Sequence, residues 1–479
     1  MCDSLSVEDI FREFLTGRKS AFVKVNHGFW DKILQIANLS THFLKSAPLS
    51  EIDKAINIDA FIETGYALEI IESIGTLQNS QNRILVSSSD IARPDQVNTV
   101  KNSSVGALLE YLGIHKSREL ATVFKTSVEC GSLASFLTNL RTSHYLIVGP
   151  VLLCNSAKTL LGGKIKTITI PEYTVSRARL RVLEELEILL NLHPDSVVLI
   201  QAGSFSAMIV CHLEKKFPSA MFIDLGLAAN IFSLESILVR DLPWGYLQSS
   251  KIINQYLQLR EENLNNGQSR ALSAEPLEKI FQLTLQINSN FGRLRRNSNS
   301  EELNLEPQIR ELSESGIPRT FFAGAYYKLA QINLLKRNYT NSFMFATSAI
   351  ECGLTGFTAP HELILKISAL ERDSKMVLVH SKILANECND FRALYLAAKM
   401  LLHLGQSSLA CDLLLKSLYQ VNFAQYNQRE LAKRILRRLG NHPASRELKN
   451  RLTLISNRTN EDAIRDRIIQ IKEGLHQFK

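Results

Sequence analysis

No stretch of this 479-residue chain approaches the 18 or so consecutive apolar residues that a bilayer-crossing helix needs, so no transmembrane segment is expected. The first residues, MCDSLSVEDIFREF, mix acids with bases and lack the apolar core of a signal peptide, which predicts a cytoplasmic protein. Cysteine is sparse. The seven residues, Cys2, Cys130, Cys154, Cys211, Cys352, Cys388 and Cys411, form no CxxC pair and no zinc spacing. An odd, scattered set of this kind indicates reduced thiols, not a disulfide framework. No G-x-S-x-G elbow is present, and Cys154 and Cys211 fall within helical patterns where buried thiols are usual, so nucleophilic catalysis finds no support. Glycine-rich phosphate loops of the G-x-G-x-x-G or P-loop kind are also absent. The basic clusters (Arg293, Arg295 and Arg296, then Lys433–Arg438, then Arg446–Arg451) lack interleaved aromatics and read as solvated helix faces, so no nucleic-acid partner is expected.

What is present is the composition of an ordinary globular protein: 45% apolar, 21% charged, net charge +8. The length calls for two or three domains. Up to about Tyr246, short β-branched or apolar runs alternate with amphipathic helical stretches. The strand candidates are Ala21–Val25, Arg83–Val86, Tyr145–Val148, Thr167–Ile170, Val197–Ile200 and Met221–Ile223. That alternation is the signature of an α/β fold with a doubly wound, mostly parallel sheet. The polar stretches Arg260–Pro276 and Asn297–Pro307, with a helix predicted between them over Pro276–Asn288, read as linkers. The expected division is residues 1–248 as the α/β domain, 249–317 as a helical connector and 318–479 as an all-α domain.

Val197–Phe232 carries the clearest local signal. It reads as strand, Gly203-Ser204 turn, helix over Ser206–Lys216, strand, and then Asp224-Leu225-Gly226, which is a parallel βαβ unit. Ligands of such sheets bind beyond the carboxyl ends of the strands, where these turns fall. Gly149-Pro150 ends an earlier strand in the same way. Gly149-Pro150 and Gly203-Ser204 suit either a phosphate cradle at a helix N-terminus or a plain tight turn. Asp224 suits a contact to a ribose or sugar hydroxyl, or a cap on the segment that follows.

The C-terminal region is helical and repetitive. Leu329-Ala330, Asn333, Ser342, Ala346 and Ala349 align with Ala397-Ala398, Leu401, Ala410, Leu414 and Ser417 at an offset of 68 residues, twice 34. A weaker copy, Leu363-Ile364, Ile367, Met376, His380 and Ile383, lies midway. Over Arg319–Leu418 this period, with small residues at its eighth, twentieth and twenty-seventh positions, resembles tetratricopeptide repeats. The resemblance implies stacked antiparallel helix pairs in a superhelix that binds a protein partner, with residues beyond Gln425 capping the array.

In the N-terminal half, LIVGP at 146–150, ITIP at 168–171, VLIQAG at 198–203 and IDLG at 223–226 follow in order. This ordered set resembles that of the GT-D fold glycosyltransferases of bacteria, and the resemblance covers roughly Ala21 to Phe232. Members of that family begin with a strand leading into Arg-Phe-Gly-Asp-Gly-Glu, whose Asp-x-Glu holds Mn²⁺ or Mg²⁺ and the donor diphosphate. Here the matching segment is Phe22–Asp31, with His27 where the Asp would stand, Gly28 kept, and Phe29 in place of the Glu. A His and a Phe cannot reproduce a two-carboxylate site for a hard cation, so the cofactor is left open and no metal ligand is assigned.

Several readings of Asn26–Asp31 compete. His27 and Asp31, four apart on a helical turn, could form a base–orienter pair or a poorer metal site. Alternatively, Asn26 and His27 could hydrogen-bond a nucleotide while Lys24 offsets phosphate charge without metal. In the third, Phe29 and Trp30 are core and His27 is a turn residue. Glu63 and Glu172 are further general-base candidates, and Asp90 and Asp95 read as turn residues beside a proline. The resemblance implies transfer of a sugar from a nucleotide-sugar donor to a glycan or protein acceptor. His27 and Asp31 are its catalytic candidates, and Lys24, Asn26, Gly28, Gly149, Pro150, Gly203, Ser204, Asp224 and Gly226 its donor-binding set. The alternative is a non-catalytic nucleotide-sugar-binding or scaffold protein with a degenerate GT-D domain.

Overall fold

The computed structural model describes residues 7–25, 66, 69, 70, 72, 73, 84–88, 118–140, 144–161, 165–170, 175–237, 249–261, 272–295, 306–387, 391–420 and 434. Its strands are β1 (Ala21–Val25), β2 (Ile84–Ser88), β3 (Tyr145–Gly149), β4 (Ile165–Thr169), β5 (Val197–Ile200) and β6 (Met221–Asp224). The helices of the first half are α1 (Val7–Leu15), α2 (Arg118–Cys130), α3 (Leu133–Asn139), α4 (Val151–Leu161), α5 (Val175–Leu192), α6 (Phe205–Leu213) and α7 (Leu234–Ile237), with a 3₁₀ segment at Gly226–Ser233. There follow α8 (Ser249–Glu261), α9 (Ala274–Arg295), α10 (Glu306–Glu314) and a 3₁₀ turn at Arg319–Phe322. The last six described are α11 (Ala323–Leu335), α12 (Tyr339–Glu351), α13 (Ala359–Leu370), α14 (Ser374–Glu387), α15 (Phe391–His403) and α16 (Ser407–Gln420). Among the described residues, no helix is long and apolar enough to cross a membrane.

The strands form one six-stranded sheet in the order β2-β1-β6-β5-β3-β4. Every pairing is parallel. Both faces of the central strands β3, β5 and β6 are covered, which is why they read as continuous apolar runs, while the edge strand β4 alternates buried and exposed residues. On one face Phe22, Ile147, Leu199 and Ile223 meet α4 through Leu153, Cys154 and Ala157, and the 3₁₀ segment through Ala228 and Ile231. On the other, Val23, Leu146, Val148, Val198 and Ile200 meet α5 and α6 through Val182, Leu186, Met208 and Ile209. This division follows from handedness. Right-handed crossovers place the helix after β3, which moves outward to β4, opposite the helices after β4 and β5, which move the other way. The direction of winding therefore reverses between the neighbours β3 and β5, and that is the crevice of a doubly wound sheet.

The first hydrophobic cluster does not stop at the sheet. It continues through Ile253 and Tyr256 of α8, Ile280 and Ile287 of α9, and Ala323 and Ala330 of α11, as far as Ile367 of α13. Beside it, at the join between α7, α8 and the 3₁₀ turn before α11, Glu235 hydrogen-bonds Tyr256 and Thr320 and lies near the charge of Arg260. Burial raises the Glu235 carboxyl and also the Tyr256 phenol, the latter with help from the neighbouring carboxylate. Farther on, α13 and α14 share a separate core with α15 and α16.

Among the described residues α11–α16 form three helix pairs joined by one recurring turn. In each, a backbone N–H closes back five residues: Asn338 to Asn333 O (2.9 Å), Asp373 to Ser368 O (2.8 Å) and Gln406 to Leu401 O (2.9 Å). The residue before each donor is left-handed, Arg337 at φ 61°, Arg372 at 62° and Gly405 at 74°, as this helix-ending motif requires. The three turns are therefore equivalent, spaced 35 and 33 residues apart, and the outer two keep the offset of 68. The middle copy is displaced by one residue from an even 34-residue spacing. Its counterparts of Ser342, Ala346 and Ala349 are Val377, Ser381 and Leu384, all buried, rather than Met376, His380 and Ile383. A small residue does sit at the central position after all. Small residues let the paired helices approach closely enough for Ser342 Oγ to donate to Ala330 O (2.7 Å) and Ser417 Oγ to Phe391 O (2.6 Å).

Candidate functional site

Parallel pairing aligns the carboxyl ends of the central strands in rows. Phe22 stands level with Ile223, Asp224 with Ile200, and Ile200 with Val148, so Val23 follows beside Asp224. One residue further lie Lys24, Leu225, Gln201 and Gly149. The Gln201 N–H extends the ladder by donating to Val148 O (2.8 Å), and Ile170 N–H donates to Gly149 O (2.9 Å). Side chains alternate along a strand, so Lys24 and Gln201 follow Phe22 and Leu199 onto the face covered by α4 and the 3₁₀ segment. Lys24 is half-buried at the end of β1.

Asp224 organises the ends of β1 and β6. Its side chain is 3% exposed. Oδ2 accepts from the backbone N–H of Lys24 (3.2 Å) and Oδ1 from that of Gly226 (3.2 Å). Desolvation pushes its carboxyl up to about 7, although the Lys24 and Gly226 amides, the Lys24 charge and the nearby Ser206 hydroxyl all pull the other way. Burial wins because charge in a dry site costs more than two amide hydrogen bonds return. Gly226 has φ 52°, a left-handed value that lets the chain fold back onto the carboxylate. Asp224 is thus a clasp between strand ends 200 residues apart in sequence.

The two glycine turns differ in kind. At Gly149 a Cβ would stand 2.7 Å from Leu153 Cδ2 and 3.5 Å from Gln201 Cβ, so the missing side chain is needed for α4 to pack on β3. Cys154, next along α4, points back so that its thiol donates to Gly149 O (3.4 Å), and burial pushes it up to about 11, an unreactive state. Pro150 sits just before the helix, and its carbonyl accepts from Cys154 N–H (3.0 Å). Gly203 has φ 57°, and the carbonyls of Ala202 and Gly203 accept from the Phe205 and Ser206 amides (3.2 and 3.3 Å). Ser204 opens α6 without capping it through its side chain.

One pair of polar side chains at this edge escapes any periodic reading of the sequence. Gln201 Nε2 donates to Asn230 Oδ1 (3.1 Å), linking the end of β5 to the 3₁₀ segment after β6. Both residues are half-buried. On the opposite side of the sheet, Arg179 of α5 grips Glu69 through two hydrogen bonds of 2.8 and 2.9 Å. The helix pairs also reach this region. Asn155 of α4 donates to Thr355 O (3.5 Å), and Gly356, at φ 86°, lies against Val151, Leu152 and Asn155.

Of the residues singled out in the sequence, the structure gathers Lys24, Gly149, Pro150, Gly203, Ser204, Asp224 and Gly226 at one edge of the sheet. Asn26, His27, Gly28 and Asp31 lie outside the described residues, as do Glu63, Asp90, Asp95 and Glu172. Among the described residues, no group of three or more His, Cys, Asp or Glu side chains is placed to hold a metal ion. No family model, curated protein or solved structure matches the chain.

Proposed function

We propose that the carboxyl edge of the sheet binds a nucleotide-activated sugar and that the chain is a glycosyltransferase-like protein acting on a glycan or protein acceptor. The observation that carries this reading is the row Lys24–Leu225–Gln201–Gly149, held in register by the Asp224 clasp beside the crevice where the winding reverses. Doubly wound sheets take phosphorylated ligands at that place, and the Lys24 ammonium, at the same edge two strands from β5, supplies one positive charge toward a diphosphate. In the transfer, an acceptor hydroxyl oxygen bonds to the anomeric carbon as its bond to the diphosphate breaks. The hydroxyl proton passes to a base, for which His27 with Asp31 is the candidate pair. The leaving diphosphate's charge is offset by Lys24. The helix pairs α11–α16, read as tetratricopeptide-like repeats, would hold the acceptor or a protein partner.

A second reading, non-catalytic binding of the same donor, is favoured by one specific feature. His27 and Phe29 stand where the resembled family has its two metal-binding carboxylates. A thermal-shift screen of UDP-, GDP-, CMP- and dTDP-sugars, with and without Mn²⁺, tests both, because a ligand specific to the folded state raises the melting temperature. A shift accompanied by transfer or hydrolysis supports the enzyme, and a shift without turnover supports the binder. No shift with any donor refutes the site.

A further inference from the structure

Gln201 and Asn230 are two polar side chains at the crevice whose bonding is incomplete among the described residues. Each carboxamide has a carbonyl that accepts and an amino group that donates. Their mutual bond uses the Gln201 amino group and the Asn230 carbonyl. The Gln201 Oε1 acceptor and the Asn230 Nδ2 donors make no hydrogen bond among the described residues. Half-burial keeps the pair partly reachable while limiting competition from water.

The bond also fixes the arrangement. Gln201 is anchored by its backbone in the β5–β3 ladder, its Cβ lies against Gly149, and Asn230 is held in the 3₁₀ segment packed on α4. The result is one acceptor and one donor, on two side chains joined by a hydrogen bond, at the end of a central strand. Lys24 lies in the same row two strands away, about 10 Å at the usual spacing of parallel strands. That span is comparable to the one from the base edge to the β-phosphate of a nucleoside diphosphate.

We infer that Gln201 and Asn230 read the nucleobase of the bound nucleotide, with Gln201 Oε1 accepting from a ring or exocyclic N–H and Asn230 Nδ2 donating to the adjacent base acceptor. The inference rests on the crevice being the nucleotide site, and it adds which residues set base specificity. An adjacent acceptor and donor suit a base edge, which offers both. Inorganic phosphate or pyrophosphate alone, which mainly accepts at neutral pH, would leave the Gln201 carbonyl without a donor to match it.

The discriminating variant is Asn230→Asp. It keeps an oxygen for Gln201 Nε2, so the brace between β5 and the 3₁₀ segment survives, but it removes the amino donor. Asn230→Leu, which removes both, is its companion. Calorimetric titration of the full chain with UDP, GDP, ADP and inorganic pyrophosphate gives the readout. The expected result is a wild type that prefers one nucleoside diphosphate over the others and over pyrophosphate. Asn230→Asp then lowers the affinity for that nucleotide by roughly tenfold or more, as the loss of a bond to a half-buried acceptor does. Its pyrophosphate affinity and melting temperature stay at wild-type values. A fall in pyrophosphate affinity of equal size would mean that the new charge repels phosphate, and would overturn the base-reading role. So would unchanged nucleotide affinity in Asn230→Asp and Asn230→Leu, or equal wild-type affinity for all four probes, while the nucleotide site itself stands. A wild type that binds none of the four removes the site and this inference together.

Discussion

Replacing Asp224 by Asn isolates the electrostatics of the strand-end clasp. The carboxyl is buried and its ionisation is pushed up to about 7 from an ordinary 3.8, with desolvation the dominant cause. The unfolded chain ionises it near the ordinary value, so between about pH 4 and 7 the folded state holds a proton that the unfolded state has released. Stability contributed by the protonated carboxyl is complete below about pH 4 and is lost as pH rises through 7. Three units correspond to roughly 4 kcal/mol over the full range, of which about 2–3 kcal/mol falls between pH 5 and 8. Asn cannot ionise, but its amino group must face either the Lys24 or the Gly226 N–H, two donors opposed, at a cost of about 1–3 kcal/mol. In urea unfolding at a series of pH values, Asp224→Asn should therefore be less stable than wild type at pH 5. The deficit should shrink steadily and reach zero or change sign by pH 8. All other titrating groups are common to both proteins, so the difference between the two curves reports this carboxyl. A deficit that stays constant from pH 5 to 8 would refute the reasoning, since it would mean that Asp224 is ionised throughout.

Three further outcomes follow from the helix pairs. Ser381 is fully buried, its hydroxyl has no hydrogen-bond partner among the described residues, and it occupies the place held by Ala346 in the preceding pair, so Ser381→Ala should stabilise the chain by about 1 kcal/mol in urea unfolding. Burial and the adjacent His361, with the two Nδ1 atoms 3.0 Å apart, push the His380 imidazole down to about 4. Stability from neutral His380 is complete above about pH 6.5 and is lost as pH falls through 4, and His380→Gln should remove a loss of about 2 kcal/mol from the acid limb of the unfolding curve. Gly356→Ala places a Cβ in left-handed backbone 3.3 Å from Asn155 Nδ2, so it should cost about 1–2 kcal/mol and raise amide exchange on the first turn of α4.

The strands were legible because a two-sided parallel sheet writes itself as short apolar runs. Val197–Ile200 is read with both ends correct, and Met221–Ile223 misses only Asp224. At β4 the reading Thr167–Ile170 began two residues late and ended one late, since KIKTITI alternates evenly across either choice of four or five. The helix predicted over Pro276–Asn288 runs from Ala274 to Arg295, because the polar residues after Asn288 still present apolar neighbours such as Phe291 and Leu294 to the core. The middle helix pair was obscured by unequal turn spacing, which displaces its counterparts of Ser342, Ala346 and Ala349 by one residue, while His380 is buried beside them. The order of strands was not legible at all. Nothing local reveals that β6 inserts between β1 and β5, so the meeting of Asp224 with Lys24 could not be foreseen. Gln201 and Asn230 carried no signal either, for a polar residue after a strand looks like any other loop residue. The 3.0 Å approach of His361 to His380, 19 residues apart on separate helices, is likewise a product of packing.

Hydrogen exchange of the full chain, with and without whichever nucleoside diphosphate sugar gives the largest thermal shift, tests the central claim most directly. Added protection is predicted at the carboxyl ends of β3, β5 and β6, in peptides covering 146–154, 199–206 and 222–233, with little change in α13–α16. Protection confined to the helix pairs, or none with any donor, would contradict a nucleotide site at the sheet edge.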